Sequence, residues 1–354
     1  MYIENPDTSN LRYGYTTGAC ATAATKAALI MMIRGKTVYE VEINLPVKKT
    51  ARFLIEHQKI EKNYCMAAVK KDGGDDPDVT TGLYIYSRVE YSNNPGIEIA
   101  GGEGIGTVTK EGLPIKPGNP AINPVPLKMI KSTVQNLLES EGILKGIKIT
   151  ISAPGGEDVA KKTCNPKLGI VGGISILGTR GIVIPFSNSS WKASIVLGIR
   201  VASKLGINSL VFSTGGRSDT VVKKIFPDFR EEQFIEIGDF LGFAVKRAVD
   251  AGIEKVIIAG MPGKISKLAD GNMDLHSSKS SVNFEFLASM GEYLGYDHNT
   301  VSGIRHANTV LEVMELIKYD TAFLDLLKDK SLKNINNITE NKIQISIEII
   351  KNEY

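Results

Sequence analysis

The chain has 354 residues, more than one typical core holds, so two domains are expected. Charged residues make up 23% and hydrophobic residues 42%, and the net charge of +3 with no Lys/Arg run beyond two residues argues against a nucleic-acid partner. Cys20, Cys65 and Cys164 are odd in number and form no CxxC pair, which argues against a disulfide framework or structural zinc and fits a reducing, cytoplasmic setting.

The start, MYIENPDTSN, lacks the basic region of a signal peptide. Residues 19–33 are Ala-rich with a continuous apolar face and predict a buried helix, too short to span a bilayer and carrying Lys26. No membrane association is expected. Strand-like runs follow at 37–45, 51–56, 64–70 and 83–91, the last two joined by the acidic segment KKDGGDDPDVTTG. A Gly/Pro-rich stretch at 96–126 precedes a helix at 127–140, entered through NPVP, and a strand at 147–152. Residues 1–180 therefore predict a mixed α+β domain.

From residue 181 short apolar strands alternate with helices: GIVIPF (181–186), a helix at 190–205, strand 209–214, a helix at 239–251 and strand 255–260. This pattern predicts, for 181–320, an α/β domain with a mostly parallel, Rossmann-like sheet. Residues 321–354 read as a Lys/Asn-rich tail ending in a strand with Ile343, Ile345, Ile347 and Ile349 alternating.

The acidic segment places Asp72, Asp75, Asp76 and Asp78 within seven residues. Two like charges 4 Å apart repel by about 1 kcal/mol in water and about 4 kcal/mol near a protein surface. The loop is therefore fully solvated, or Lys70, Lys71, backbone amides, a metal or a ligand compensates it. A carboxyl desolvated beside another has a raised pKa and becomes a usable base, so Asp75 and Asp76 are candidates. His276, in the polar loop GNMDLHSSKSS, is the competing base.

STGGRSD (213–219) follows a buried strand, where open α/β sheets bind ligands. Thr214, Gly215 and Gly216 offer a hydroxyl and amides to an anion, and Asp219 can accept from hydroxyls. The next strand is followed by Gly260, Gly263 and Lys264, and Gly238 stands beside an acid at a helix start, as in adenosine-binding loops. Each also reads as a plain strand-to-helix turn. GGEGIGTV (101–108) is followed by prolines and other breakers, so a glycine-rich hairpin or bulge is favoured over a dinucleotide fingerprint. In TTGAC, Thr16 and Thr17 are better ligand candidates than Cys20, which reads as a small buried residue. No GxxxxGK[ST], GxSxG or HExxH motif is present.

Taken in order, GYTTGACATAA (14–24), KDGGDDPDVTTG (71–82), GGEGIGTVTK (101–110), NPVPLKMI (123–130) and the block PGGEDVAKKTCNPKLGIVGGISILGTRGIV (154–183) resemble the CbiD family. STGGRSD, GMPGKISKLADG (260–271) and DLHSSKS (274–280) complete the set. These are the cobalt-precorrin-5B C-1-methyltransferases of anaerobic cobalamin biosynthesis. Each block alone has low specificity; the ordered set is highly specific. Two departures stand out: Gly73 where alanine is expected, and Ser278 where a basic residue is common. Beyond Lys318 no family motif is recognised.

The resemblance implies methyl transfer from S-adenosylmethionine to C-1 of a cobalt-corrinoid, giving cobalt-precorrin-6A, with no bound metal besides the substrate's cobalt. It also implies transient contact with neighbouring pathway enzymes. A macrocycle bearing acetates and propionates wants Lys and Arg at its rim, so Lys161, Arg180 and Lys264, with Lys162 and Lys279, join Thr16 and Thr17 as substrate-binding candidates. The Asp loop would repel that rim and suits ribose, a ring proton or its own turn. Two other classes remain open: a magnesium-dependent kinase or ligase using the Asp loop, and a corrinoid carrier without catalysis.

Overall fold

Alanine lets neighbouring backbones approach a helix closely, and the first helix is built on that property. In the computed structural model, which describes residues 10–351, a two-residue strand β1 (Gly14–Tyr15) leads into α1 (Thr17–Arg34). Thr16 caps α1 by accepting from the Ala19 amide, and Gly35 at φ 65° ends it. β2 (Glu40–Leu45) and β3 (Lys49–Leu54) form a hairpin. β4 (His57–Ile60), β5 (Tyr64–Lys70), β6 (Tyr84–Ser92) and β7 (Ile97–Gly101) follow. Then come β8 (Thr107–Val108), α2 (Pro124–Ser140), β9 (Gly146–Ser152), a short α3 (Gly156–Ala160), β10 (Ile170–Val171) and β11 (Ile182–Val183).

The main sheet of this unit has the order β4-β5-β6-β9-β7, antiparallel except for the parallel pair β7–β9. Its inner face carries Val69, Ile85, Val89, Ile147, Ile149 and Ile151, all buried, and α1 packs on it. Period-2 alternation decides which residues enter that core. Because β8 pairs with β10 and not with β7, GGEGIGTV forms no hairpin. It is a turn around Gly104, where a side chain would strike the Ala153 carbonyl at 1.9 Å, and a side chain on Gly156 or Gly173 would strike the Gly104 carbonyl within 2.3 Å, so these glycines serve packing.

The chain divides into two compact units between Ser187 and Asn188. GIVIPF contributes only β11, paired antiparallel with β1, rather than a strand of the α/β half. Gly181 at φ 80°, Pro185 without an N–H and Phe186 at φ 54° stop the strand from growing.

The second unit contains α4 (Asn188–Lys204), β12 (Ser209–Ser213), α5 (Gly216–Ile225), β13 (Phe234–Glu236), α6 (Leu241–Asp250), β14 (Lys255–Gly260) and α7 (Pro262–Ala269). α8 (Phe284–Tyr293), α9 (His298–His306), α10 (Val310–Leu316), α11 (Thr321–Thr339) and β15 (Gln344–Ile349) complete it. Its four strands are all parallel in the order β13-β12-β14-β15. The segment expected as a tail is part of this core. Asp320 caps α11, which buries Phe323, Leu324, Leu327 and Ile335. No helix among the described residues is long and apolar enough to cross a membrane.

Candidate functional site

β5 points Cys65, Ala67 and Val69 inward, and the same alternation carries Lys71 into the core. An ammonium there needs a partner. Lys71 Nζ lies 2.7 Å from Asp78 Oδ2. Asp78 also accepts from the amide and hydroxyl of Thr80 at 2.8 and 2.6 Å. Burial pushes the Asp78 carboxyl up, but the Lys71 charge and these hydrogen bonds outweigh it, and its pKa lies below the usual range.

The rest of the loop is tied to 12–15. Asp72 is bidentate to the Arg12 guanidinium and accepts from the Gly74 amide, which lowers its pKa. Asp75 accepts from the Arg12 amide at 2.7 Å, while its own amide donates to the Arg12 carbonyl. Gly74 at φ 68° lies where a side chain would meet that carbonyl at 2.2 Å. At Gly73 a methyl group would sit 2.3 Å from Thr81 Oγ1, so the expected alanine requires Thr81 to turn.

Asp76 is the exception. Among the described residues it has no ion-pair partner, and it accepts one hydrogen bond, from the Phe186 amide at 3.0 Å. Burial raises its pKa and the Asp78 charge adds to this, against the Phe186 hydrogen bond and Lys71. Of the two carboxylates expected as bases, Asp76 is the half-buried one and Asp75 is exposed.

Thr16 and Thr17 are buried and committed to the protein's own backbone. Thr16 caps α1, and Thr17 Oγ1 donates to the Ser175 carbonyl at 3.1 Å and accepts from the Leu177 amide at 2.9 Å. Cys20 is fully buried, and burial pushes its thiol up to about 12, so it is a packing residue. Lys161 is exposed and paired with Asp158; Arg180 is exposed.

In the second unit the parallel register brings the expected glycine loops to one sheet edge. The Thr214 amide donates to the Ala259 carbonyl at 3.0 Å and the Ile237 amide to the Ser213 carbonyl at 2.9 Å, so the loops after β12, β13 and β14 lie side by side. Side chains built on Gly215 and Gly216 would meet nothing within 4 Å, leaving backbone open to a ligand. Gly238, at φ 56°, faces the Trp191 ring; Gly260 is hemmed in by Thr214 and Ile265; Gly263 has room. Asp219 accepts from Ser213 Oγ at 3.0 Å and pairs with Lys223.

Lys264 is ion-paired with Asp239. Burial pushes the Lys264 ammonium down to about 8, Lys267 lowers it further and Asp274 opposes them. Contact with the Asp239 carboxylate also favours the charged form, so Lys264 is a cation at neutral pH. His276 Nδ1 accepts from the Ser278 amide at 3.1 Å and lies 2.7 Å from its hydroxyl. That assigns the ring proton to Nε2 in the neutral form, with Nδ1 engaged by Ser278.

Lys71, one of the compensating cations that the sequence offered, is the one that pairs with Asp78, and Arg12 is the member of the acidic-loop network that sequence reasoning did not single out. The inward alternation of β5 marks Lys71. Arg12 has no such signal, since its partner Asp72 is 60 residues away.

The CbiD family profile matches residues 4–185, and the profile described as CbiD, C-terminal domain, matches 274–354, including the stretch beyond Lys318 where no motif was recognised. A cobalt-precorrin-5B C(1)-methyltransferase of Picrophilus torridus is 50% identical over 95% of this chain and 97% of its own. One from Priestia megaterium is 50% identical over 87% of this chain and 84% of its own. A crystal structure of the cobalamin biosynthesis protein (cbiD) from Archaeoglobus fulgidus is 29% identical, covers 76% of this chain and 83% of that one, and superposes with a TM-score of 0.41. With a family profile spanning its first half and relatives half identical along nearly all its length, this chain belongs to the CbiD family.

Proposed function

We propose that the chain is a cobalt-precorrin-5B C(1)-methyltransferase, moving a methyl group from S-adenosylmethionine to C-1 of the corrinoid to give cobalt-precorrin-6A in the cytoplasm. The observation that carries this is the 50% identity along 95% of the chain to a relative of that name. The substrate brings its own cobalt.

The residues present suit this chemistry. The sulfonium's charge disappears during transfer, so a carboxylate beside it would stabilise the ground state more than the transition state. Asp72 and Asp78 are neutralised by Arg12 and Lys71 and present no bare charge. Adding a methyl cation equivalent raises the charge of the ring system by one, and a base that removes a proton restores it. We assign that base to Asp76, whose raised pKa and single hydrogen bond suit it to accept a proton.

We read the parallel sheet as Rossmann-like, with S-adenosylmethionine at its carboxyl edge on the open backbone of Gly215 and Gly216. Lys264 stands on the same loop as Gly260 and Gly263. We therefore assign its charge to the donor's carboxylate rather than to the corrin rim.

The test is incubation with the corrinoid precursor and S-adenosylmethionine labelled in its methyl group, followed by mass spectrometry. A methyl-sized gain at C-1 is expected; no gain in competent substrate discards the reading.

A further inference from the structure

A cleft of about 500 Å³ opens in the first unit between α2 and the segment that runs from Pro114 to Ile122. None of the residues so far given a role lines it. One wall is a single face of α2: Pro124, Leu127, Lys128, Lys131, Ser132 and Gln135 recur at spacings of three and four. The helix turns a different stripe, Pro126, Ile130, Val134 and Leu138, into the core. The other wall is apolar, with Ile99, Ile115, Pro120 and Ile122.

This second wall is held firmly. The Val108 amide donates to the Asn119 carbonyl, the Gly118 amide donates to the Val108 carbonyl, and Asn119 Nδ2 donates to the Lys116 carbonyl. A side chain on Gly101 would strike Pro120 at 2.7 Å, so the end of β7 rests directly against the loop. The cleft is preformed, as ligand sites mostly are, and its size lies in the usual range of about 300–1,000 Å³.

Its charge is one-sided. Lys128 and Lys131 are exposed, have no ion-pair or hydrogen-bond partner among the described residues, and share the cleft with no carboxylate. Their Cβ atoms, one helical turn apart, lie roughly 5–6 Å from each other. An apolar slot with two unpaired ammonium groups on one lip suits a ligand with a flat apolar body and several carboxylates at its edge. It suits S-adenosylmethionine poorly, since the sulfonium and the ammonium of that molecule would face two more cations.

We propose that this cleft is the subsite for one edge of the corrin substrate. Its apolar wall lies against the ring, and Lys128 and Lys131 each hold an acetate or propionate of that edge. The proposal rests on the methyltransferase reading. It also explains the composition of the NPVPLKMI segment, in which the prolines start the helix and the lysine behind them meets the substrate.

Cobyrinic acid, a stable cobalt corrin with free acetate and propionate arms, serves as the probe, titrated by its absorbance, with its fully esterified form as a control. Lys128→Glu and Lys131→Glu each weaken cobyrinic acid binding on the order of tenfold, and the double variant by about a hundredfold. Binding of the ester and of S-adenosylmethionine stays as in the unaltered protein, and Lys128→Arg restores the acid's affinity. Both lysines are exposed, so urea midpoints that match confirm that the variants fold. If the double variant binds the acid normally while the unaltered protein methylates its precursor, the subsite lies elsewhere and the methyltransferase reading stands. Equal loss for acid and ester overturns the role of charge. If the unaltered protein neither binds the acid nor transfers a methyl group, both fall.

Discussion

Each unit sets a lysine against an aspartate, and the two pairs differ in how water reaches them. The Lys71 side chain is 1% exposed and Asp78 25%, whereas Lys264 is 32% exposed and Asp239 19%. Lys71 cannot leave its carboxylate without stranding a charge in the core, so its pair is a fixed brace for the acidic loop. Lys264 remains reachable, so a ligand carboxylate can exchange with Asp239. Asp76 differs from Asp78 in the same loop: burial raises its pKa, and the nearby Asp78 charge adds to this.

The harshest way to break this contrast is Asp78→Ala, which leaves Lys71 buried without its counter-charge. A loss of about 3–5 kcal/mol in urea unfolding is expected, against less than about 1 kcal/mol for Asp239→Ala in the half-open pair. Similar losses would make the two pairs equivalent. Because the folded Asp78 carboxyl lies below its ordinary 3.8, its contribution is present at neutral pH and is lost as pH falls from about that value through the folded pKa. Asp78→Ala removes that acid slope.

Asp76 reverses the sign. Its folded pKa is raised above 3.8, so the native state binds the extra proton, and stability declines as pH climbs from 3.8 through the folded value. Asp76→Asn is therefore at least as stable at neutral pH. Its single-turnover methylation rate nonetheless falls about a hundredfold or more, with S-adenosylmethionine affinity intact. In the unaltered protein that rate rises with pH through a midpoint raised from the ordinary 3.8. An unchanged rate in Asp76→Asn moves the base elsewhere.

A smaller effect tests the half-open pair. Lys264→Met weakens S-adenosylmethionine binding about tenfold at neutral pH by calorimetry. The unaltered protein loses affinity above about pH 8 as Lys264 gives up its charge, and the variant shows no such loss. Smallest of all is Gly73→Ala, expected within about 1 kcal/mol because the hydroxyl of Thr81 can turn away. At Gly74 the obstacle is the Arg12 carbonyl and φ is 68°, so the same change is harsher, about 1–3 kcal/mol.

Several elements were legible in the chain. The alanine run at 19–33 marks α1, observed as Thr17–Arg34, and the apolar runs at 209–214 and 255–260 mark β12 and β14. α11 was hidden because Lys and Asn fill its exposed positions and dilute the stripe of Phe323, Leu327, Ser331 and Ile335. GIVIPF misled because its composition suits a strand while Gly181, Pro185 and Phe186 adopt a backbone that ends one. At the acidic loop the crowding of carboxylates was evident. Which of them is half-buried and held by a lone amide was not, because Arg12 arrives from 60 residues upstream and Phe186 from 110 downstream of its partner.

The sequence by itself determined the family, the helical and strand periods, and the loops of the candidate site. These follow from side-chain spacing and short motifs, which act over a few residues. Tertiary structure alone decided that Lys71 braces Asp78, that Asp76 is raised while Asp78 is lowered, and that Lys128 and Lys131 share a cleft with Pro120 and Ile99. The reason is that desolvation and Coulomb interactions act through space. A carboxylate's pKa depends on which charges and amides the fold brings within a few ångströms, and those come from distant parts of the chain.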